Sequence, residues 1–390
     1  MVFSHQHLAD DLQYAYIAAR RHKRHKPYQL LFEANLGHNL LALADELSKR
    51  TYKPLPSDCF IITSPKKREV FAAQFRDRVV HHLYYYYTHR MFERTFIQDT
   101  YSCIPGRGTH YGVERLRSHI LQESRSYSRQ CHVLKMDIRG YFMHINRQKL
   151  CDIATATLRK LAARRIAKYR TEHWGDMLDI DFLCYLTHEI ALLDPTEDCR
   201  LIGQPSEWLD LPHDKSLFHS PDGCGLPIGN LTSQLFSNVY LNEFDQFVKR
   251  QLKCRHYGRY VDDFYIVGHS REWLESLIPQ ITLFLKERLG LDVHTGKTHL
   301  LPCHKGVEFL GAYVLPHRIY TSRAALQRMD GHLSALERDT DKKHVFMALN
   351  SYCGILSHWN NYNTRRTMLL QRHRFTDKGM FDFDIRHFYG

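Results

Sequence analysis

No run of the 390 residues approaches the ~20 consecutive apolar positions that a membrane-spanning helix needs. The opening MVFSHQHLADD places acids where a secretory leader would have its apolar core. The expectation is therefore a cytoplasmic chain with no membrane partner. The ten cysteines are scattered from Cys59 to Cys353 without a CxxC pair, and Cys131–His132 and Cys303–His304 lack a second pair at zinc spacing. This argues against a structural zinc site or a disulfide framework and fits reduced thiols. There is no internal repeat and no low-complexity tract. Negative charge is in the minority: 42 Asp and Glu face 54 Lys and Arg, a formal charge of +12, with 27 histidines besides. The excess favours a polyanionic partner, nucleic acid first and an acidic membrane surface second.

What is present is a folded composition, 43% hydrophobic and 12% aromatic. Residues 1–58 read as a helical extension. LADDLQYAYIAARRHKRHK is amphipathic and ends in a basic cluster, LGHNLLALADELSKR continues the pattern, and TYKPLPSD closes it with two prolines. ITSPKKREVFAAQFRDRVV passes from β-rich residues into a helix through Arg78 to Glu93. CHVLKMDI (Cys131–Ile138) reads as a short strand ending in an acid, and residues 194–225 as the longest irregular stretch. Asn230 is placed to cap a helix whose Leu231, Leu235, Val239 and Phe247 fall largely on one face. Residues 272–289 read as a helix, VEFLGAYVL as another strand, and the last ~70 residues as polar and helical. Strands and helices alternate without regular βαβ units, which points to an α+β fold.

RYVDDFYIVG (Arg259–Gly268) reads as a hairpin with Asp262 and Asp263 at its tip. Aspartate is depleted in strands, and a buried unpaired carboxylate is costly. A bare pair of acids most often marks a polar turn. If the strand ending in Asp137 neighbours this hairpin, however, three carboxylates converge at one edge. Magnesium takes oxygen ligands, usually one or two carboxylates with substrate phosphates. Two such ions activate a 3′-hydroxyl and stabilise leaving pyrophosphate, and their charge offsets the repulsion among the acids.

KMDIRGYF, GLPIGNLTSQLFSN and YVDD occur in the order and spacing of motifs A, B and C of reverse transcriptases, which they resemble. PKKREVFAAQFRDRVVHH resembles the fingers block, HTGKTHLLP motif D, and GVEFLGAYV the primer-grip hairpin. Within that superfamily, LPHDKSLFHSPDGCGLPIGNLTSQ (Leu211–Gln234) and the N-terminal NLGHNLLALADELSKRTYKPLP are similar to the reverse transcriptases of diversity-generating retroelements. The resemblance implies a right-hand polymerase: fingers and palm with an antiparallel sheet over 59–315, and a small helical thumb over 316–390. It implies RNA-directed DNA synthesis with two Mg²⁺ ions, Mn²⁺ being able to substitute. The partners implied are template RNA, the RNA/DNA duplex, deoxynucleoside triphosphates and a small basic accessory protein. The host implied is a bacterium or phage, and the product a mutagenic copy of a template-repeat RNA.

By the same resemblance, Asp137 and Asp262 are the principal metal ligands, the Ile138 carbonyl a further one, and Asp263 completes the acidic cluster. Phe142 stands at the steric-gate position that excludes ribonucleotides. Lys66, Lys67 and Arg68 are candidates for the triphosphate, and Lys66 and Arg68 are favoured because they would alternate onto one strand face. This block lacks the glycine turn of many relatives. Gly225, Gly229 and Asn230 frame the turn before the motif B helix, where glycine lets backbone approach the base pair. Ile228 occupies a position where many relatives carry glutamine, and in the retroelement family it accompanies error-prone copying of template adenines. Gln234 and Ser233 lie where a side chain reaches template or primer, and Lys297 matches the motif D lysine suited to protonating pyrophosphate. Arg76 and Arg78 suit structural ion pairs, and Tyr84–Tyr87, which point all round a helix, suit packing. A retron or phage-defence reverse transcriptase is the rival enzyme reading, and a catalytically idle RNA-binding polymerase scaffold the rival binding reading.

Overall fold

A computed structural model describes residues 5–63, 66–169, 179–372, 375, 379–382 and 384–389. The chain forms two compact units. The first comprises Met1–Gly106, Met136–Phe264 and Ser276–Thr298, and the second Arg107–Lys135, Tyr265–Glu275 and His299–Gly390.

The first unit opens with helices α1 (His5–Ala19), α2 (Pro27–Ala34) and α3 (Leu36–Ser48). In α1, Leu8, Leu12, Ala15, Tyr16 and Ala19 are buried at helical spacing, the apolar stripe expected of a helix laid on a core. Strands β1 (Ser57–Ile62) and β2 (Arg68–Ala72) pair antiparallel from Asp58↔Ala72 to Ile62↔Arg68. Helix α4 (Phe75–Glu93) follows and carries the tyrosine run. Tyr84 is buried, with its hydroxyl 2.8 Å from that of Thr187, whereas Tyr86 is exposed. Arg76 pairs with Glu46 and with Asp77, and Arg78 donates to the Ala73 carbonyl at 2.7 Å.

Strand β3 (His132–Asp137) leads to the short helix α6 (Tyr141–His144), after α5 (Thr109–Glu123) of the second unit. Helices α7 (Arg147–Tyr169) and α8 (Ile180–Ala191) come next. The stretch 194–225, expected to be irregular, contains strand β4 (Cys199–Leu201), which pairs in parallel with β1. A buried acid explains its order. Glu69 on β2 accepts hydrogen bonds from Leu217 N at 2.6 Å, Ser216 Oγ at 3.0 Å and Trp208 Nε1 at 3.1 Å. Helix α9 (Leu231–Gln246) precedes β5 (His256–Tyr260), β6 (Asp263–Gly268) and α10 (Arg271–Leu289). A four-stranded sheet has the order β5-β6-β3-β7, with β7 at His299–Pro302.

In the second unit, β3 and β7 pair antiparallel from His132↔Pro302 to Lys135↔His299. VEFLGAYVL is not the single strand its pattern suggests but the hairpin the resemblance implies, β8 (Val307–Phe309) pairing antiparallel with β9 (Ala312–Val314). Leu310 and Gly311, at φ +50° and +80°, reverse the chain between them. Strand β10 (Ile319–Thr321) extends this sheet, and the C-terminal stretch turns helical only at α11 (Arg323–Leu336) and α12 (Lys342–Ser357). Leu333, Leu336, Val345, Leu349, Cys353 and Leu356 form the shared core of these helices. No helix among the described residues is long and apolar enough to cross a membrane.

Candidate active site

Asp137 is the last residue of β3 and is 7% exposed. The segment after α10 lies along it: His294 N donates to the Asp137 carbonyl at 2.8 Å, and Arg139 N to that of Asp292 at 2.8 Å. Ile138 stands opposite Val293 between these two bonds. In an antiparallel ladder, a residue in that position points its own carbonyl away from the partner strand. The same segment brings in Lys297, whose Nζ lies 3.0 and 3.1 Å from the two carboxylate oxygens of Asp137.

The β5–β6 hairpin reverses at Val261 and Asp262, with Asp263 opening β6. Val261 sits at φ +56°, a left-handed conformation that a β-branched side chain rarely takes. Burial, and then the charges of Asp137 and Asp263, push the Asp262 carboxyl from its usual 3.8 up to about 7; Lys297 opposes the shift. The donors are thus oxygen anions held close enough to repel, with an ammonium bridging one of them. That chemistry fits a divalent cation held by Asp137 and Asp262 with the Ile138 carbonyl. Among the described residues, no three His, Cys, Asp or Glu side chains form a ready-made ion cage.

Phe142, on α6, and Ile228 are both half-buried and pack against one cluster of Cys59, Phe71, Met143 and Leu217. The turn holding Ile228 is fastened to β2: Phe71 N donates to the Ile228 carbonyl at 2.9 Å. Asn230 occupies the N-cap position of α9 but makes no capping bond; its Oδ1 accepts instead from Ala73 N at 3.3 Å. Gly229, at φ +124°, has no room for a side chain, since a Cβ would stand 2.8 Å from Val70 Cγ1 and 3.1 Å from the Phe71 carbonyl. Gln234 is exposed on α9, whereas Ser233 is buried.

Arg68 is the first residue of β2 and is exposed. Lys66 is also exposed but precedes the strand, so the expected alternation of the two on one strand face does not form. Residues 64–65 of the same block lie outside the described residues. Sequence reasoning missed two features. One is the Lys297–Asp137 contact. The other is the buried ion pair of Arg259 with Asp245, whose signal is a charged residue in each of two apolar elements.

An α+β chain with acids at one end of an antiparallel sheet has the architecture of a right-hand polymerase palm. Residues 179–314 match the family described as reverse transcriptase (RNA-dependent DNA polymerase). The chain carries a reverse transcriptase domain, and its enzyme class is RNA-directed DNA polymerase. The matched span includes Ile228, Gly229, Gln234, Asp262, Asp263 and Lys297; Lys66, Arg68, Asp137, Ile138 and Phe142 precede it. The chain is 24% identical over 333 residues to Protein YkfC of Escherichia coli (strain K12), covering 77% of this chain and 76% of that one. Among solved structures, apo telomerase from Candida tropicalis is similar at 11% identity and a TM-score of 0.46, over 83% of this chain and 61% of that one. Telomerase from Candida albicans in complex with the TWJ fragment of telomeric RNA is similar at 11% identity and a TM-score of 0.43, over 85% and 56%. This chain therefore spans less than two thirds of those telomerase chains.

Proposed function

We propose that this protein copies RNA into DNA inaccurately at template adenines, as the reverse transcriptases of diversity-generating retroelements do, to diversify a target gene. The observation that carries this reading is Ile228. Its half-buried side chain packs on the same cluster as Phe142 and presents an apolar group where a glutamine would hydrogen-bond. A pocket without those bonds discriminates less strictly between nascent pairs.

Asp137, Asp262 and the Ile138 carbonyl would hold Mg²⁺, with Asp263 completing the cluster. Two bound ions, for which Mn²⁺ can substitute, would supply the charge that activates a 3′-hydroxyl and neutralises departing pyrophosphate. Arg68 and Lys66 are exposed at the edge of β2 to receive the triphosphate, and Lys297 stands within reach of the same acids. Gly229, whose missing Cβ lets its turn lie against β2, would hold that turn beside the base pair, and exposed Gln234 would face template or primer. The surplus of basic residues suits an RNA/DNA duplex. On this reading the protein works in the cytoplasm, where a small basic accessory protein would assist on a template-repeat RNA.

Primer extension on a defined RNA, followed by sequencing of the cDNA, tests this reading. Errors concentrated at template adenines are expected, and Ile228→Gln should lower them about tenfold, the scale of one hydrogen bond in discrimination. Errors spread evenly over the four template bases would favour the retron or phage-defence reading, and no extension at all the idle scaffold. Phe142→Ala is expected to raise ribonucleotide incorporation by about tenfold or more by removing the ring beneath the 2′-hydroxyl. Unchanged sugar discrimination would move the gate to another residue.

A further inference from the structure

Arg259 lies on β5, two residues before the Val261 turn, and is fully buried. Its Nε and Nη2 donate to the two carboxylate oxygens of Asp245 on α9, at 2.8 and 2.7 Å. Tyr257 Oη at 2.6 Å and Thr100 Oγ1 at 3.2 Å donate to the same carboxylate. This two-pronged pairing locks the guanidinium in one plane. Its remaining nitrogen, Nη1, points at the turn and donates to the Val261 carbonyl at 2.9 Å and to Asn238 Oδ1 at 3.3 Å.

The other side of Val261 is held as well. Its N–H donates to Ser102 Oγ at 3.3 Å, and Ser102 is fixed by Asn238, whose Nδ2 donates to the Ser102 carbonyl at 2.8 Å. Both main-chain groups of the residue at φ +56° are therefore gripped by buried side chains. A buried ion pair is weak evidence for stability, since apolar residues of like volume often serve as well. No apolar residue can donate to the Val261 carbonyl. Left-handed backbone at a β-branched residue persists only where its surroundings over-determine it.

We propose that Arg259, with Ser102, is a positioning residue: it holds Val261 in its left-handed turn and thereby sets where the Asp262 carboxylate stands. The proposal rests on the polymerase reading above. Asp245 and Asn238 both lie on α9, the helix that begins beside Gly229, so that helix anchors the acidic turn from behind.

The test measures single-nucleotide extension of a DNA primer on an RNA template, together with hydrogen–deuterium exchange at the amides from Tyr260 to Phe264. A wild-type chain that cannot extend the primer overturns the polymerase reading; the exchange measurement still judges this one. Arg259→Lys keeps the charge facing Asp245 but loses the rigid fork. Its hairpin amides should exchange about tenfold faster. Incorporation should fall about 100-fold with little change in nucleotide KM, as expected of a misplaced acid. Adding Val261→Gly should restore incorporation at least about fivefold, because glycine takes the left-handed conformation freely, although it loosens the unfolded chain. Ser102→Ala removes two weak hydrogen bonds, the one its hydroxyl accepts from Val261 N at 3.3 Å and the one it donates to Asn238 Oδ1 at 3.1 Å, and takes the place of Arg259→Lys if that variant does not fold. Exchange and incorporation should each change about threefold, with the same rescue by Val261→Gly. Wild-type exchange at these amides in a folded variant, or a loss that Val261→Gly deepens, overturns the proposal.

Discussion

Replacing Asp262 by Asn should lower primer extension by about 10³-fold, the loss of several kcal/mol of charge stabilisation at a metal-dependent step. The same change should make the metal-free chain more heat-resistant. In the absence of metal, the Asp262 carboxyl is pushed up to about 7 by burial and by the neighbouring acids Asp137 and Asp263. An acid raised in the folded state favours folding in its protonated form. That contribution is complete below the usual 3.8, declines as pH rises from there, and is gone above about 7. Asparagine carries no such dependence, so the variant's advantage should be absent at pH 3.5 and full at pH 8, where its Tm should be higher by roughly 2 °C. Equal melting temperatures at pH 8 would mean that Asp262 is not held against its neighbours. For the wild type, the proton competes with the cation. The Mg²⁺ concentration needed for half-maximal activity should rise about tenfold for each pH unit below 7.

Lys297→Ala should slow nucleotide addition by about 10²-fold and yet lower the Mg²⁺ concentration that half-saturates the remaining activity. Lys297 Nζ spans both carboxylate oxygens of Asp137, and its side chain is 55% exposed, so it is free to swing away. In the proposed reaction, an ion taking Asp137 would displace this ammonium, and the freed lysine would be available to departing pyrophosphate. On that proposal, removing it takes away a competitor and a proton donor in one step. Lys297→Arg separates the two roles, because a guanidinium keeps the charge but does not release a proton near neutrality. That variant should be slow without the lowered Mg²⁺ requirement. A higher requirement in Lys297→Ala would show that the lysine assists the ion.

The acids were legible in the sequence because KMDIRGYF, GLPIGNLTSQLFSN and YVDD stand together in the order of polymerase motifs; Asp262 and Asp263 alone would most often mark a polar turn. Helices α1, α4, α9 and α10 were legible from their periodicity and end signals. Other features depended on contacts that no local pattern encodes. Lys297 and Asp137 are 160 positions apart and meet only because Val293 pairs beside Ile138. Strand β4 is three residues long, and the groups that hold Glu69 are spread over Trp208, Ser216 and Leu217. The β8–β9 turn was legible only through the resemblance of GVEFLGAYV to a hairpin; its local pattern hid it because Leu310 supplies one of the two left-handed residues, where asparagine or a second glycine would have marked it. Arg259 drew no reading of its own, since the carboxylate that buries it lies on a separate helix.

The fastening of the Ile228 turn to β2 makes the two ends of the proposed nucleotide pocket one mechanical piece. The Phe71–Ile228 bond, the Ala73–Asn230 bond and the missing Cβ of Gly229 leave no slack between the strand that begins at Arg68 and the turn that presents Ile228. On the proposed roles, a shift of the strand as Arg68 grips phosphate would carry the Ile228 side chain with it. Substitutions at Arg68 and Ile228 should therefore combine non-additively, although they act on opposite ends of the nucleotide. Accuracy and affinity would then be a single adjustable property of this chain, altered together whenever either end is changed.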